Sequence, residues 1–354
     1  MTIHDLDTPA LVVDLDVMER NLLRMSAYAR EHQLKLRPHT KTHKIPALGI
    51  KQLQSGAVGL TVAKPGEAEV MLRANPQELL VAYPTFGAQK LSRLMEVARK
   101  TRLLMSLDSL EIAIPLSEAA HAAGVEIGVL TEIDVGLNRV GVRPDQELGD
   151  LIAGVRKLRN LSWEGIAFYP GHIKSLDDEG LAALGKLNQL IGKVAGQYDP
   201  KIVSGGSTPS WEHSHEIWGM TEIRPGTYIF NDRNSVEIGS CSWDDCAASI
   251  ITTVVSTAVP GQVIIDGGSK TFSSDRVATG GEGFGKILNG PAELLKMNEE
   301  HGFVKTDEPW RVGDKLRIIP NHICVAVNLH EKIYGVRGET VEECWQVEAR
   351  GKLQ

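Results

Sequence analysis

A short basic loop near the amino terminus carries the residues best suited to covalent chemistry. Residues 36–44 read LRPHTKTHK and begin with the last residue of a predicted strand. A lysine that is shielded from water and surrounded by cations loses its charge more easily, and its neutral amine attacks carbonyl groups. Lys41, Lys44 and Lys35 are all candidates for this nucleophile, and the spacing does not choose among them. A solvated basic loop is the competing interpretation.

Two later strand ends carry groups that hold anions and aromatic rings. The fifth predicted strand runs into DVGLNRVG at residues 134–141, where glycines beside Arg139 permit close approach of a ligand. A guanidinium is well suited to binding an anionic oxygen. The sixth predicted strand ends near Tyr169 and His172. A structural salt bridge for the arginine and core packing for the two rings are the alternatives.

Two glycine-containing turns predict a phosphate site. One follows the seventh predicted strand and the other follows the eighth. Their residues are Gly205, Gly206, Ser207, Thr208, Gly226 and Thr227. Backbone N–H groups at such turns bind phosphate, and barrels often use the loops after strands 7 and 8 for this purpose. Ordinary turns also favour glycine and serine, so the argument depends on the pair of loops.

His322 and Cys324 form a candidate metal site. They are separated by one residue, which would place imidazole and thiol on one face of an extended segment. Thiolate and imidazole suit Zn²⁺, and a site with two protein ligands keeps positions open for substrate or water. A buried cysteine beside a hydrogen-bonded histidine is the alternative.

Eight short apolar strands must position the first three sets of residues. They cover residues 34–36, 58–61, 79–83, 103–107, 126–132, 165–168, 201–203 and 222–223. Helical stretches separate them, such as an amphipathic segment over residues 18–29 with Asp14 or Asp16 as N-cap. The regular alternation predicts a (β/α)₈ barrel of the TIM type. A doubly wound sheet is the rival, but no GxGxxG fingerprint follows the first strand.

After about residue 240 the pattern changes to β-branched runs. Predicted strands cover residues 249–255, 263–265, 315–319, 323–326 and 332–336. They predict an antiparallel β domain. We therefore expect an α/β chain with a barrel over residues 14–236 and a carboxyl-terminal β domain over residues 237–354. A further strand is predicted near the start of the chain, at residues 10–13, and fits either part; we assign residues 8–13 to the β domain.

The composition is that of an ordinary globular enzyme and excludes several classes of function. In 354 residues, 38 Lys and Arg against 45 Asp and Glu give a net charge of −7, without blocks of like charge. This argues against nucleic-acid and membrane partners. The start, MTIHDLD, lacks the features of a signal peptide, so we expect a cytoplasmic protein.

Taken in order, these motifs resemble the D-threonine aldolase and D-serine dehydratase family, which uses the alanine-racemase type (fold type III) of pyridoxal-phosphate fold. The resemblance spans almost the whole chain, which makes it more specific than any single motif. The matching positions are residues 7–9, 37–44, 134–136, 139–141, Tyr169, 205–206, 225–228, 266–268, 300–302 and 320–322.

The resemblance implies a role for each candidate. Lys41 would be the Schiff-base lysine of pyridoxal 5′-phosphate, Arg139 would face the phenolic oxygen of the cofactor, and Tyr169 would line its ring. The phosphate would be held by Gly205, Gly206, Ser207, Thr208, Gly226 and Thr227. His322 and Cys324 would bind a divalent metal, Zn²⁺ or alternatively Mn²⁺ or Mg²⁺, near the substrate hydroxyl. The family resemblance also implies a homodimer.

Two features favour the dehydratase branch. The metal motif is His-x-Cys, whereas aldolases of the family resemble His-x-Asp, and the loop GGSTPS at residues 205–210 also looks more like a dehydratase. We therefore expect a metal-assisted lyase that converts D-serine or another D-3-hydroxy amino acid to a 2-oxo acid and ammonia. Retro-aldol cleavage to glycine and an aldehyde is the first alternative, and racemisation is the second.

Two further questions stay open at this level. A non-catalytic pyridoxal-phosphate carrier is a third alternative, but small carriers of this fold lack a β domain. Residues 211–215, WEHSH, match no pattern and either shape the substrate pocket or cap a helix.

Overall fold

The computed structural model describes all 354 residues and divides into two compact units. The β unit comprises Met1–Leu23 and Thr227–Arg350, and the barrel unit comprises Arg24–Gly226 and Gly351–Gln354. The units divide between Gly226 and Thr227 rather than at the predicted 236/237, and the last four residues belong with the barrel unit. None of the helices combines the length and apolar composition that a membrane crossing requires.

Strands and helices alternate through the barrel unit, and strands dominate the β unit. The strands are β1 (Ala10–Asp14), β2 (Lys35–Leu36), β3 (Leu60–Val62), β4 (Glu78–Val81), β5 (Arg102–Leu107), β6 (Ile127–Ile133), β7 (Leu161–Phe168), β8 (Ile202–Gly205), β9 (Glu222–Ile223), β10 (Ala248–Ser256), β11 (Gln262–Ile265), β12 (Gly285–Ile287), β13 (Glu293–Met297), β14 (Gly302–Lys305), β15 (Lys315–Pro320), β16 (Lys332–Arg337) and β17 (Thr340–Gln346). The helices are α1 (Leu15–Glu31), α2 (Pro46–Gln54), α3 (Pro65–Met71), α4 (Ala88–Ala98), α5 (Leu110–Ala123), α6 (Gln146–Val155), α7 (Asp178–Tyr198), α8 (Arg233–Glu237), α9 (Ser269–Phe272) and α10 (Ile323–Leu329).

The barrel unit is a parallel eight-stranded sheet with the order β2-β9-β8-β7-β6-β5-β4-β3. A parallel bridge between His39 and Thr61 joins the loop after β2 to β3 and closes the ring. Each of the eight predicted strands overlaps one of β2–β9, so the predicted barrel is confirmed. The carboxyl ends of all eight strands therefore meet at one mouth.

Apolar side chains from five adjacent strands form a continuous core in the barrel unit. They are Leu80, Leu104, Leu130, Ala167 and Ile202. Parallel strands covered on both faces need such near-continuous apolar runs, which explains why the strands were visible in the sequence. Full burial of one leucine side chain stabilises the fold by about 1.5–3 kcal/mol.

A buried ionic cluster lies toward the amino-terminal ends of the strands. The Arg37 guanidinium donates from Nε to Glu222 at 2.9 Å and from Nη2 to Glu78 at 2.6 Å. Arg102 donates to the other oxygen of Glu78 at 2.6 Å. Arg37 is therefore occupied by two carboxylates and is directed away from the barrel mouth, although it stands in the basic loop.

The β unit is a nine-stranded sheet in which β1 lies between β10 and β16. Its pairs are antiparallel except for the parallel pair of β1 and β16. The amino-terminal strand β1 thus belongs to this sheet. A core of Leu6, Ala10, Val12, Ile251 and Val336 holds the chain's two ends together.

One predicted strand is wrong. Residues 323–326 belong to α10 (Ile323–Leu329), so the His-x-Cys segment is not extended. Its β-branched residues suggested a strand, but Ile323, Ala326 and Val327 are the buried positions, and this i, i+3, i+4 spacing is that of a helix. Four strands, β12, β13, β14 and β17, were not predicted, because they are short or carry mostly charged and exposed residues.

Candidate active site

The structure distinguishes the three candidate lysines. Lys41 lies in a short 3₁₀ helix, Thr40–Thr42, and its backbone N–H donates to Nδ1 of His39 at 3.3 Å. Its exposed amine stands 5.9 Å from the centre of the Tyr169 ring. Lys44 is buried and its ammonium pairs with Glu67 at 3.1 Å. Lys35 begins β2 at the far end of the strand, so Lys41 is the lysine that the fold presents at the barrel mouth.

The other basic residues of the loop do not surround Lys41 with positive charge. Arg37 and Lys44 are each paired with carboxylates. Burial lowers the pKa of His43 to about 4, so this imidazole is neutral near pH 7. Burial, helped by the charges of Lys41 and Arg224, also holds the pKa of His39 well below its usual range. The imidazole next to Lys41 is therefore a neutral hydrogen-bonding group.

Arg139 and Tyr169 meet at the mouth. The guanidinium carbon of Arg139 lies 5.0 Å from the centre of the Tyr169 ring, which suits a cation–π contact. The loop that presents Arg139 is folded by Asp134, whose Oδ1 accepts the backbone N–H groups of Gly136 and Asn138 at 3.0 Å each. Gly136 has a φ of +117°, which favours glycine there.

A small cavity connects this loop to the sixth barrel strand. Its lining residues are Glu132, Ile133, Asp134, Leu137, Arg139, Val140 and Tyr169. His172, also singled out from the sequence, packs against Gly136, and its Nδ1 is buried without a partner in the protein. Lys41, Tyr169 and Arg139 thus come together from three different strand ends.

The turn after β8 has the form of an anion cradle. A Cβ on Gly205 would lie 2.2 Å from the Phe168 ring, so only glycine fits there. Gly206 has a φ of +81°, which turns the chain sharply. Ser207 and Thr208 are buried, and the Ser207 hydroxyl is 3.1 Å from that of Ser210. Buried hydroxyls beside such a turn can donate to a phosphate.

Gly226 and Thr227 are consecutive residues that fall on either side of the division between the units. A Cβ on Gly226 would lie 2.9 Å from the backbone oxygen of His39, so this glycine packs directly on the Lys41 loop. Thr227 is predicted to hold phosphate, and its hydroxyl lies 3.7 Å from the sulfur of Cys324.

Arg224, which follows β9 directly, was assigned no role from the sequence. It is buried and donates to Ser204 Oγ at 2.6 Å and to the Phe168 backbone oxygen at 3.1 Å. Burial lowers the pKa of its guanidinium, and the charges of Glu132 and Glu222 oppose that shift. The signal was present, since an arginine directly after a barrel strand stands where functional residues usually lie.

The candidate metal ligands are organised by Asp232, which the sequence did not single out. This buried carboxylate accepts from His322 Nδ1 at 2.9 Å and from the Ile323 backbone N–H at 3.0 Å through Oδ2. Its Oδ1 accepts the backbone N–H and hydroxyl of Ser235, both at 2.8 Å. Asp232 therefore fixes the His322 ring and leaves Nε2 as the nitrogen for a further ligand.

His322 and Cys324 interact with each other. The charge of the Cys324 thiolate and the Asp232 carboxylate raise the pKa of His322 well above its usual range, against the effect of burial. The chain has no group of three or more His, Cys, Asp or Glu side chains arranged to hold a metal ion. The candidate site thus offers two protein ligands, one imidazole and one thiolate, a soft donor set that fits Zn²⁺.

Comparison with known proteins shows similarity over the whole chain. The family model described as alanine racemase, N-terminal domain, matches residues 13–234. The model described as putative serine dehydratase domain matches residues 247–336.

Three relatives illustrate the similarity. A D-threonine aldolase of Arthrobacter sp. is 31% identical, covering 98% of this chain and 93% of that protein. The crystal structure of D-threonine aldolase from Filomicrobium marinum has a TM-score of 0.94 at 32% identity, covering 100% and 98% of the two chains. D-threo-3-hydroxyaspartate dehydratase of Delftia sp. (strain HT23) is 31% identical, covering 91% and 92%.

Proposed function

Because the chain belongs to the D-threonine aldolase and D-serine dehydratase family of alanine-racemase-type pyridoxal-phosphate lyases, we propose that it is a metal-assisted dehydratase of D-3-hydroxy amino acids. It converts D-serine or a related substrate to a 2-oxo acid and ammonia. The observation that carries this choice is the His322–Cys324 pair held by Asp232. A thiolate in this position resembles the dehydratase branch.

The barrel unit has the groups that pyridoxal phosphate needs. Lys41 is exposed, Arg139 and Tyr169 stand around one small cavity, and the turn at Gly205 and Gly206 would hold the phosphate. When bound, the cofactor supplies an electron sink that stabilises negative charge at the substrate Cα.

The protein's own groups move and hold the protons. Nζ of Lys41 accepts the Cα proton, and the backbone hydrogen bond to neutral His39 holds the lysine's short helix in place. Arg139 places a positive charge where the phenolic oxygen of the cofactor would lie.

His322 and Cys324 would hold the divalent metal, for which we propose Zn²⁺. A metal there supplies a Lewis acid that helps the 3-hydroxyl leave. Loss of the Cα proton and the hydroxyl removes one water, and hydrolysis of the product adds one water and releases ammonia. The net reaction therefore needs no oxidant or reductant.

Retro-aldol cleavage is the second candidate. The Arthrobacter and Filomicrobium relatives are D-threonine aldolases at 31% and 32% identity, and the same groups would serve that reaction. There the metal would lower the pKa of the hydroxyl so that the Cα–Cβ bond breaks.

A product assay tests the proposal. Protein reconstituted with pyridoxal phosphate and Zn²⁺ is incubated with D-serine, D-threonine and D-3-hydroxyaspartate, with and without a chelator. We expect chelator-sensitive formation of 2-oxo acid and ammonia. Glycine with an aldehyde would establish the aldolase instead, and chelator-resistant racemisation would contradict both lyase assignments.

Matched variants connect the assay to the residues. Lys41→Ala should abolish activity and the borohydride-reducible visible absorbance of bound cofactor, whereas Lys35→Ala should keep both. Cys324→Ala should abolish activity, and Cys344→Ala, which changes an exposed cysteine, should not. Gel filtration tests the homodimer, which stays a prediction.

A further inference from the structure

The segment Trp211–Glu216 forms a 3₁₀ helix directly after the proposed phosphate turn. Its side chains contact the carboxyl-terminal end of α1 within the barrel unit. The Tyr28 ring packs edge-on against Trp211 at 4.8 Å, and the Arg24 guanidinium lies 5.1 Å from the Trp211 ring. The His32 and His215 rings stack at 3.8 Å with an interplanar angle of 15°. The side chains of Trp211 and His215 therefore pack against α1.

Tyr28 provides the polar part of this contact. Its hydroxyl accepts the His215 backbone N–H at 3.1 Å and lies 2.9 Å from His215 Nδ1. One side chain thus holds both the backbone and the ring of a residue in the 3₁₀ helix. Tyr28 is buried, and burial raises its pKa to about 12, so the hydroxyl keeps its proton at any ordinary pH.

The 3₁₀ helix is coupled in turn to the glycine turn. The His213 backbone N–H donates to the Ser210 backbone oxygen at 3.2 Å, and the Ser210 hydroxyl is 3.1 Å from that of Ser207. Ser214 Oγ lies 3.2 Å from the place where a Cβ on Gly206 would stand. A continuous set of contacts therefore runs from Tyr28 through the 3₁₀ helix to the residues of the proposed phosphate turn.

We propose that Tyr28 and His215 are positioning residues that hold the phosphate turn in its binding conformation before the cofactor arrives. The proposal rests on the proposed function, because it takes the turn at Gly205–Thr208 as the phosphate site. Both residues lie outside the turn itself, Tyr28 in α1 and His215 in the 3₁₀ helix. Their effect is preorganisation. Without the contacts of Tyr28 with His215, which join α1 to the 3₁₀ helix, phosphate binding would have to order this segment as well.

The test compares ligands with and without the phosphate. Dissociation constants of pyridoxal phosphate and pyridoxal are measured on the apoenzyme of the wild type, Tyr28→Phe and the control Tyr198→Phe, whose hydroxyl contacts the exposed side chain of Gln197. Phe keeps the ring packing and loses two hydrogen bonds. We expect Tyr28→Phe to weaken pyridoxal phosphate by roughly five- to tenfold and to leave pyridoxal unchanged.

A second variant and a second measurement test the same proposal independently. His215→Ala, at an exposed position, removes one hydrogen bond and the stacked ring, and it should weaken pyridoxal phosphate selectively but less than Tyr28→Phe. Amide exchange of residues 205–216 in the apoenzyme should rise in both variants. Unchanged exchange, or equal weakening of both ligands, overturns the proposal. If the wild type binds no cofactor, the proposed function fails. The exchange experiment still decides whether the contacts of Tyr28 with His215 order the turn.

Discussion

Asp232→Asn is the sharpest test of the candidate metal centre. Asp232 accepts four hydrogen bonds, two at each carboxylate oxygen, from His322, Ile323 and Ser235. The amide has one accepting oxygen and one donating nitrogen. In either orientation its NH₂ group faces a buried backbone N–H, that of Ile323 or that of Ser235. The substitution therefore breaks at least one buried hydrogen bond while it keeps the size of the side chain.

The magnitudes follow from these contacts. An unsatisfied buried donor costs about 1–3 kcal/mol of unfolding free energy. Loss of the group that orients a metal-binding histidine lowers metal affinity by roughly 10- to 100-fold, which is about 1.4–2.8 kcal/mol of binding free energy. We expect both losses in Asp232→Asn, because the same oxygen holds the His322 ring and the first N–H of α10.

Competition for Zn²⁺ between the protein and a chromophoric chelator measures the affinity, and denaturant unfolding of the metal-free protein measures the stability. The control is Asp145→Asn, since Asp145 also caps a helix, accepting the Glu147 N–H at 3.0 Å, but lies in the barrel unit. Zn²⁺ affinity equal to that of the wild type would refute the role given to Asp232. An equal loss in the control would refute the argument from the His322 contact.

Three further substitutions test the barrel unit. Arg37→Met leaves the buried Glu222 carboxylate without its cationic partner and should cost about 3–5 kcal/mol in denaturant unfolding, whereas Arg99→Met, in an exposed pair, should cost less than about 1 kcal/mol. Because the pKa of His43 falls from 6.5 to about 4 on folding, the unfolded chain binds the extra proton, and stability decreases as the pH falls between these values. The loss of unfolding free energy approaches about 3 kcal/mol. His43→Asn should abolish this part of the pH dependence. An unaltered pH profile of stability would contradict a buried neutral imidazole at this position. Gly205→Ala places a Cβ against the Phe168 ring and should cost about 1–3 kcal/mol of unfolding free energy. Gly185→Ala, with open space around it, should not destabilise the protein. Equal melting temperatures of the two variants would argue against the tight contact at Gly205.

The barrel was predictable because its signals are local. Buried parallel strands need apolar runs, and each of the eight appears as such a run in the sequence. The strand-end positions of Lys41, Arg139 and Tyr169 followed from the same pattern. The segment at residues 323–326 misled the interpretation, because Ile and Val at alternate positions fit a strand while the buried positions of Ile323, Ala326 and Val327 fit a helix.

By itself, the sequence determined the βα alternation, the change to a β-rich part and the residue types available for chemistry. Tertiary structure alone decided which of these residues are available. Lys44 pairs with Glu67, and Arg37 pairs with Glu78 and Glu222, so neither assists Lys41. Asp232 stands 90 residues before His322 and nevertheless orients its ring. The physical reason is that periodicity is a property of neighbouring residues, whereas the partner of a buried charge is chosen by the fold, which brings distant parts of the chain within hydrogen-bonding distance.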